Sequence, residues 1–396
     1  MIDLAPLHRL SAQVLSRELP AYRRYLYGQI DFGARLLGIK GARGAGKSTL
    51  LLQHARSLGL APTQLLYASC DHPAMVDVSL YDLAESFHAR GGRLLLLDEV
   101  HKAQDFARSL KAIYDVLDLQ VMFSGSSALD IEHASADLSR RAVVHQLGVL
   151  SFREFCELEL GLSLPSYPLP ELLARHVDIA AALMRQFRPL EQFAKYLQYG
   201  CYPFYRESLA DYPVKLLEVV KLTIDSDLSR IHRIDPAKLD KLKKILYMLC
   251  STNPYELNIS KLSAAVQVSW PTLQKYLQHM DAASLIHIVR GGAGVRAVNR
   301  PDKLLLHNPN LFQVLCGAGN TGAVRESFFV SQTRLLHQVH YHDRGDFIVD
   351  DALVFEVGGP QKTGAQLQGQ AGYVAADDID MGFDKRIPLW LFGFLY

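Results

Sequence analysis

The sequence predicts an α/β protein with a nucleotide-binding core on a parallel sheet, then a helical segment, a winged helix and a second α/β region. Three observations predict it. A GxxxxGK[ST] loop stands between an apolar strand and an amphipathic helix, and a second apolar run ends in two adjacent acids. Farther on, three helical patterns and two apolar strands form a segment rich in Lys and Arg. At 396 residues the chain exceeds one ordinary core. The expected divisions are 1–150, a nucleotide-binding core with an N-terminal helical extension, 151–235, helical, 236–307, the winged helix, and 308–396, the last α/β domain.

The first element is "RLLGIKGARGAGKSTLLLQHARS". Its loop comprises Gly41, Ala42, Arg43, Gly44, Ala45, Gly46, Lys47, Ser48 and Thr49. Glycines let backbone N–H groups curl around phosphate oxygens, Lys47 reaches the outer phosphates, and the helix that follows adds its positive dipole end. Ser48 is the expected ligand of Mg²⁺. In "GGRLLLLDEVHK", four leucines precede Asp98 and Glu99, as in a buried parallel strand that delivers acids to the phosphate loop. Asp98 is expected to hold Mg²⁺ through water and Glu99 to polarise the attacking water. The next strand, "LQVMFSGSSALD", ends in Ser124, Ser126 and Ser127, suited to orienting that water. Arg140 and Arg141 then offer positive charge to a γ-phosphate, most naturally in a neighbouring subunit.

Composition narrows the setting. A net charge of +1 gives no global field for nucleic acid, so any basic surface must be local. Five cysteines without paired spacing suit a reducing cytoplasm better than a disulfide framework. The longest apolar run of note, "PLWLFGFLY", is too short to span a bilayer, so a cytoplasmic protein without a membrane partner is expected. It is expected instead as a buried strand or an interface.

Together, "GARGAGKST", "LLLLDEVHK", "MFSGSSA" and a basic pair leading into "LSFREF" resemble the prokaryotic AAA+ ATPases that carry a nuclease-like C-terminal region. The resemblance implies ATP binding and Mg²⁺-dependent hydrolysis through Lys47, Ser48, Asp98 and Glu99. It implies a sensor at Ser126 and an arginine finger at Arg140 or Arg141. It further implies a helical lid over 151–235 and assembly into a ring, a hexamer being the expected form.

Over 236–307, ten Lys/Arg stand against four Asp/Glu. A winged helix there would present Thr272, Gln274, Lys275 and Gln278 on its third helix and Arg296 and Arg300 on its wing, a footprint for DNA phosphates. Trp270 and Tyr276 read as core. Over 308–396 the balance reverses to six against ten. There a helix and three strands bring Glu326, Asp346 and Glu356 into a pattern able to converge on a divalent ion. The pattern resembles the restriction-endonuclease-like PD-(D/E)XK fold. The position of its motif lysine is Gly358, with Lys362 four residues on, so the expectation is a retained scaffold without cleavage. His340 and His342, on one face of a strand, read as cross-strand polar packing.

The leading reading is an oligomeric ATPase that remodels or moves along DNA. Its rivals are a nucleotide-gated switch read by a protein partner and an ATP-dependent nuclease.

Overall fold

A computed structural model describes residues 2–126, 138, 140–229, 234–251, 259–291, 301–317, 320–367 and 372–396. The chain divides into two units, Met1–Gly148 and Val149–Tyr396.

In the first unit, α1 (Ala5–Ser16) precedes β1 (Leu36–Gly41), α2 (Lys47–Ser57), β2 (Leu65–Ser69), α3 (Leu80–His88), β3 (Leu94–Asp98), α4 (Phe106–Val116), β4 (Gln120–Ser126) and β5 (Val143–Leu147). The strands form one sheet in the order β2-β3-β4-β1-β5, with every neighbouring pair parallel. All four leucines of β3 are buried, as a strand covered on both faces requires. Leu97 lies opposite Phe123, so the next step of the register sets Asp98 beside Ser124. The strand ends thus gather the acids, the serines and the phosphate loop at one edge.

The second unit opens with α5 (Phe152–Leu160), α6 (Leu169–Met184), α7 (Pro189–Tyr199) and α8 (Tyr212–Leu222). Ser151 and Glu154 close a capping box on α5, and Gly161 ends it in a left-handed conformation at φ 66°. Then come α9 (Pro236–Ser251), α10 (Ile259–Val266), α11 (Trp270–Ala282) and an antiparallel pair, β6 (Ile286–Val289) and β7 (Lys303–Leu306). After α12 (Pro309–Cys316) and α13 (Thr321–Thr333), a mixed sheet is built from β8 (Val339–Tyr341), β9 (Phe347–Val349), β10 (Leu353–Gly358), β11 (Gly372–Ala376) and β12 (Arg386–Pro388). Its order is β12-β11-β10-β9-β8. The first three of these strands run parallel and the last two pair antiparallel.

The helical segment and the last sheet share a core, although the sequence reading separates 151–235 from 308–396. Phe152 meets Phe193, Trp390 and Phe394 edge-on, and Phe193 meets Phe328 with ring centroids 4.7 Å apart. Buried Asn310 donates to the carbonyls of Tyr196 and Leu197 and accepts from the Cys201 amide, joining α12 to α7. The apolar run at the chain's end, read as a strand or an interface, is β12 followed by a 3-10 turn, Leu389–Phe394, buried throughout. His337 pairs with Asp350 across the sheet edge at 2.6 Å.

The cysteine reading needs correction, because Cys250 and Cys316 are joined in a disulfide. They are 66 residues apart, and only the packing of α9 on α12 brings them together. Cys70, Cys156 and Cys201 remain buried thiols. Among the described residues no helix is long and apolar enough to cross a membrane.

Two buried histidines give the second unit an acid limit. His287 on β6 and His307 after β7 lie with ring centroids 4.3 Å apart, and Arg334, itself paired with Asp281, donates to His287 Nδ1. Burial, then the neighbouring Arg334, pushes His307 down to about 3, and burial with His307 and Arg334 pushes His287 well below its usual range. Both rings are neutral in the fold, whereas the unfolded chain protonates its histidines near about 6.5. The unfolded state therefore binds more protons below that pH, so stability is full above it and is lost as pH falls toward about 3. Thermal unfolding should occur at lower temperature at about pH 4.5 than at about pH 7, with a smaller difference in His307→Asn. Equal melting at both pH values in the parent would contradict this account.

Candidate nucleotide-binding site

The edge formed by the carboxyl ends of β1, β3 and β4 carries the loop and the acids. Gly41 closes β1 opposite Ser126 on one side and Leu147 on the other. A Cβ at Gly41 would lie 2.3 Å from the Leu147 carbonyl oxygen, so no larger residue fits without moving the strand. Gly46 starts α2 at φ 98°, which glycine adopts without strain. Lys47 is 4% exposed, and its Nζ donates to the carbonyls of Gly41 and Ala42, each at 3.0 Å. The ammonium is therefore held over the loop by groups it can exchange for phosphate oxygens.

Asp98 is the hub. Its Oδ1 accepts from Ser48 Oγ at 2.9 Å and from Ser124 Oγ, while Oδ2 accepts from the Tyr67 hydroxyl at 2.7 Å. Burial and then Asp98 raise the Tyr67 pKa, so the phenol stays protonated and donates. Burial, then Asp98 and Glu99, pushes the Cys70 thiol up to about 12, which removes it as a nucleophile. Glu99 turns the chain at φ 52°, and its amide donates to Ser124 Oγ at 3.1 Å. Its Oε2 lies 3.3 Å from His101 Nδ1, which also faces the Ser126 amide at 3.3 Å.

The structure thus brings Lys47, Ser48, Asp98, Glu99 and Ser126 to one edge. The hydroxyl that reaches Asp98 from β4 is Ser124; Ser126 faces His101 through its backbone. Arg141 makes a two-pronged pair with Asp115, Nε to Oδ1 at 2.6 Å and Nη2 to Oδ2 at 3.0 Å, and Arg140 is exposed. Ser127 lies outside the described residues. Sequence reasoning missed Tyr67 and His101. Nothing local marks the tyrosine, but "DEVH" places a histidine two residues after Glu99 and could have been noticed.

The other candidates are placed as follows. On α11, Leu273, Tyr276, Leu277 and Met280 are buried, leaving Lys275 and Gln278 exposed and Thr272 and Gln274 half-buried. Trp270 is also half-buried. Arg296 and Arg300 lie outside the described residues. Glu326, Asp346 and Glu356, the acids read as able to converge on a divalent ion, are all buried. Among the described residues no three His, Cys, Asp or Glu side chains are placed to hold a metal. The acids face ammonium groups instead, Lys303 at Glu326 and Asp346 and Lys362 at Glu356.

Comparison with known proteins agrees with the first unit. Residues 33–156 match the family model described as AAA domain, and residues 190–321 match a domain of unknown function, DUF8612. An uncharacterized protein, MJ1637, of Methanocaldococcus jannaschii is 28% identical over 266 residues, 63% of this chain. The match spans 56% of that relative's length. Among solved structures, AMPPCP-bound DnaA from Aquifex aeolicus aligns at 15% identity and TM-score 0.23, over 71% of this chain and 89% of that one. C. elegans PCH-2 aligns at 13% and 0.26, over 71% and 65%. Pif1 helicase from Candida albicans aligns at 16% and 0.23, over 48% and 49%. Scores this low give no common arrangement of the whole chain. The parallel five-stranded sheet, the phosphate loop with its acidic strand, and the matching family model make residues 33–156 an AAA-type P-loop ATPase domain.

Proposed function

We propose that this chain binds ATP with Mg²⁺, hydrolyses it, and couples the turnover to remodelling or moving along DNA as a homo-oligomeric ring. The observation that carries the nucleotide chemistry is the contact of Ser48 Oγ with Asp98 Oδ1 at 2.9 Å. A hydroxyl and a carboxylate meeting beside the phosphate loop form an oxygen donor set of the kind Mg²⁺ takes. When bound, Mg²⁺ would neutralise charge developing on the phosphate oxygens. Lys47 exchanges the carbonyls of Gly41 and Ala42 for phosphate oxygens. Glu99 orients the attacking water and accepts its proton. Ser124 fixes Asp98 and the Glu99 backbone together. Arg140 is the better finger for a neighbouring subunit, since Arg141 is engaged with Asp115.

The DNA part rests on α9 to α11 followed by the β6–β7 pair, the element order of a winged helix, and on the local excess of nine Lys/Arg, leaving out buried Lys303, over four Asp/Glu. Lys275 stands exposed on the helix that would face the duplex. Work on DNA implies a cytoplasmic setting, which the three buried thiols suit and the Cys250–Cys316 disulfide does not. The Lys275→Glu variant should bind DNA more weakly, with the slope of log affinity against log salt reduced by about 1. Equal affinity and equal slope for parent and variant would remove α11 from the interface.

A further inference from the structure

The buried acids of the last sheet carry their own cation. Glu326 on α13, Asp346 just before β9 and Glu356 on β10 are 3%, 0% and 2% exposed. Carboxylates so far from water stay ionised only when positive charge or several donors face them. Lys362 supplies one charge, with Nζ 2.9 Å from Glu356 Oε1. Its stem fills the space of the missing side chain at Gly358, where a Cβ would lie 2.8 Å from Lys362 Cγ. The other charge comes from outside the motif, since Lys303 belongs to β7 and pairs with β6 rather than with the acidic sheet. Its side chain is 1% exposed, with Nζ 2.8 Å from Glu326 Oε2 and 3.4 Å from Asp346 Oδ1. The ring of Phe347 lies on another side, its centroid 4.8 Å from Nζ.

We infer that the Lys303 ammonium occupies the position in which Glu326 and Asp346 would otherwise hold a divalent cation, so the last domain takes no metal. Donor chemistry decides between the two occupants. Mg²⁺ requires about six oxygens in octahedral array and keeps several waters. An ammonium requires neither, because two carboxylates and an aromatic face satisfy it. A divalent ion added beside Lys303 would meet a fixed positive charge in a site closed to water, where repulsion is weakly screened. The lysine also fastens the β6–β7 pair to the sheet, because losing it would leave two buried acids uncompensated. The sheet is therefore a metal-independent scaffold, which holds whether or not the chain acts on DNA.

The test is Mn²⁺ binding to the nucleotide-free, full-length chain, read by electron paramagnetic resonance and by the melting temperature. The Asp98→Asn background removes the metal ligand of the phosphate-loop site. In that background no Mn²⁺ should bind and melting should not move. Lys303→Ala should melt lower, Mn²⁺ should raise its melting temperature, and adding Glu326→Gln should abolish the rise. Bound Mn²⁺ in the Asp98→Asn chain with Lys303 intact would overturn the inference. So would a Lys303→Ala chain that folds and ignores Mn²⁺. If Lys303→Ala does not fold, the Asp98→Asn measurement still decides, since it leaves Lys303 untouched.

Discussion

Glu99→Gln is expected to bind ATP about as well as the parent and to hydrolyse it roughly 10²–10⁴-fold more slowly, the usual contribution of a positioned general base. The amide keeps the shape of the side chain but cannot accept the proton of the attacking water. Binding should persist because the phosphate contacts come from Lys47, Ser48 and the loop backbone, none of which depends on the Glu99 carboxylate. Equilibrium binding of a fluorescent ATP analogue, set beside steady-state phosphate release, separates the two effects. A variant that hydrolyses ATP at the parent's rate would remove Glu99 from catalysis and return the role to another group at the edge.

Lys47→Ala should lose both binding and turnover, by about 10²-fold or more, the scale seen when one preorganised donor to a charged transition state is removed. The ammonium is almost fully buried and lies over the carbonyls of Gly41 and Ala42, so the loop is shaped around it. Its removal takes away a buried ammonium held by the Gly41 and Ala42 carbonyls of the loop. Normal ATPase activity in this variant would refute the assignment of the site.

The nucleotide core was legible because its chemistry is local. The spacing from Gly41 to Ser48, and the four leucines before Asp98, each describe one short element whose neighbours follow from parallel-sheet topology. The partners of Asp98 were less legible. Tyr67 reaches Asp98 only because β2 lies beside β3, and the sequence of β2 carries no mark of it. The same holds for Cys250 and Cys316, which meet through helix packing rather than spacing. In the last domain the sequence shows three acids able to converge on a divalent ion but not the lysine that pairs with two of them, because Lys303 lies on a strand of another sheet. Lys303 sits in "DKLLLH", where a strand reading places one more alternating side chain, and only the tertiary structure shows which face it enters. The shared core of 151–235 with the C-terminal run was hidden for the same reason, since aromatic contacts between Phe152 and Trp390 join distant stretches.

The most direct test of the whole account is the steady-state ATPase rate measured without DNA and with duplex, single-stranded and branched DNA, for the parent and for Glu99→Gln. The account predicts that at least one DNA form accelerates the parent and that none restores Glu99→Gln. A parent rate unchanged by every form, together with no salt-dependent DNA binding, would contradict coupling to DNA and leave a nucleotide-gated switch as the reading of the same site.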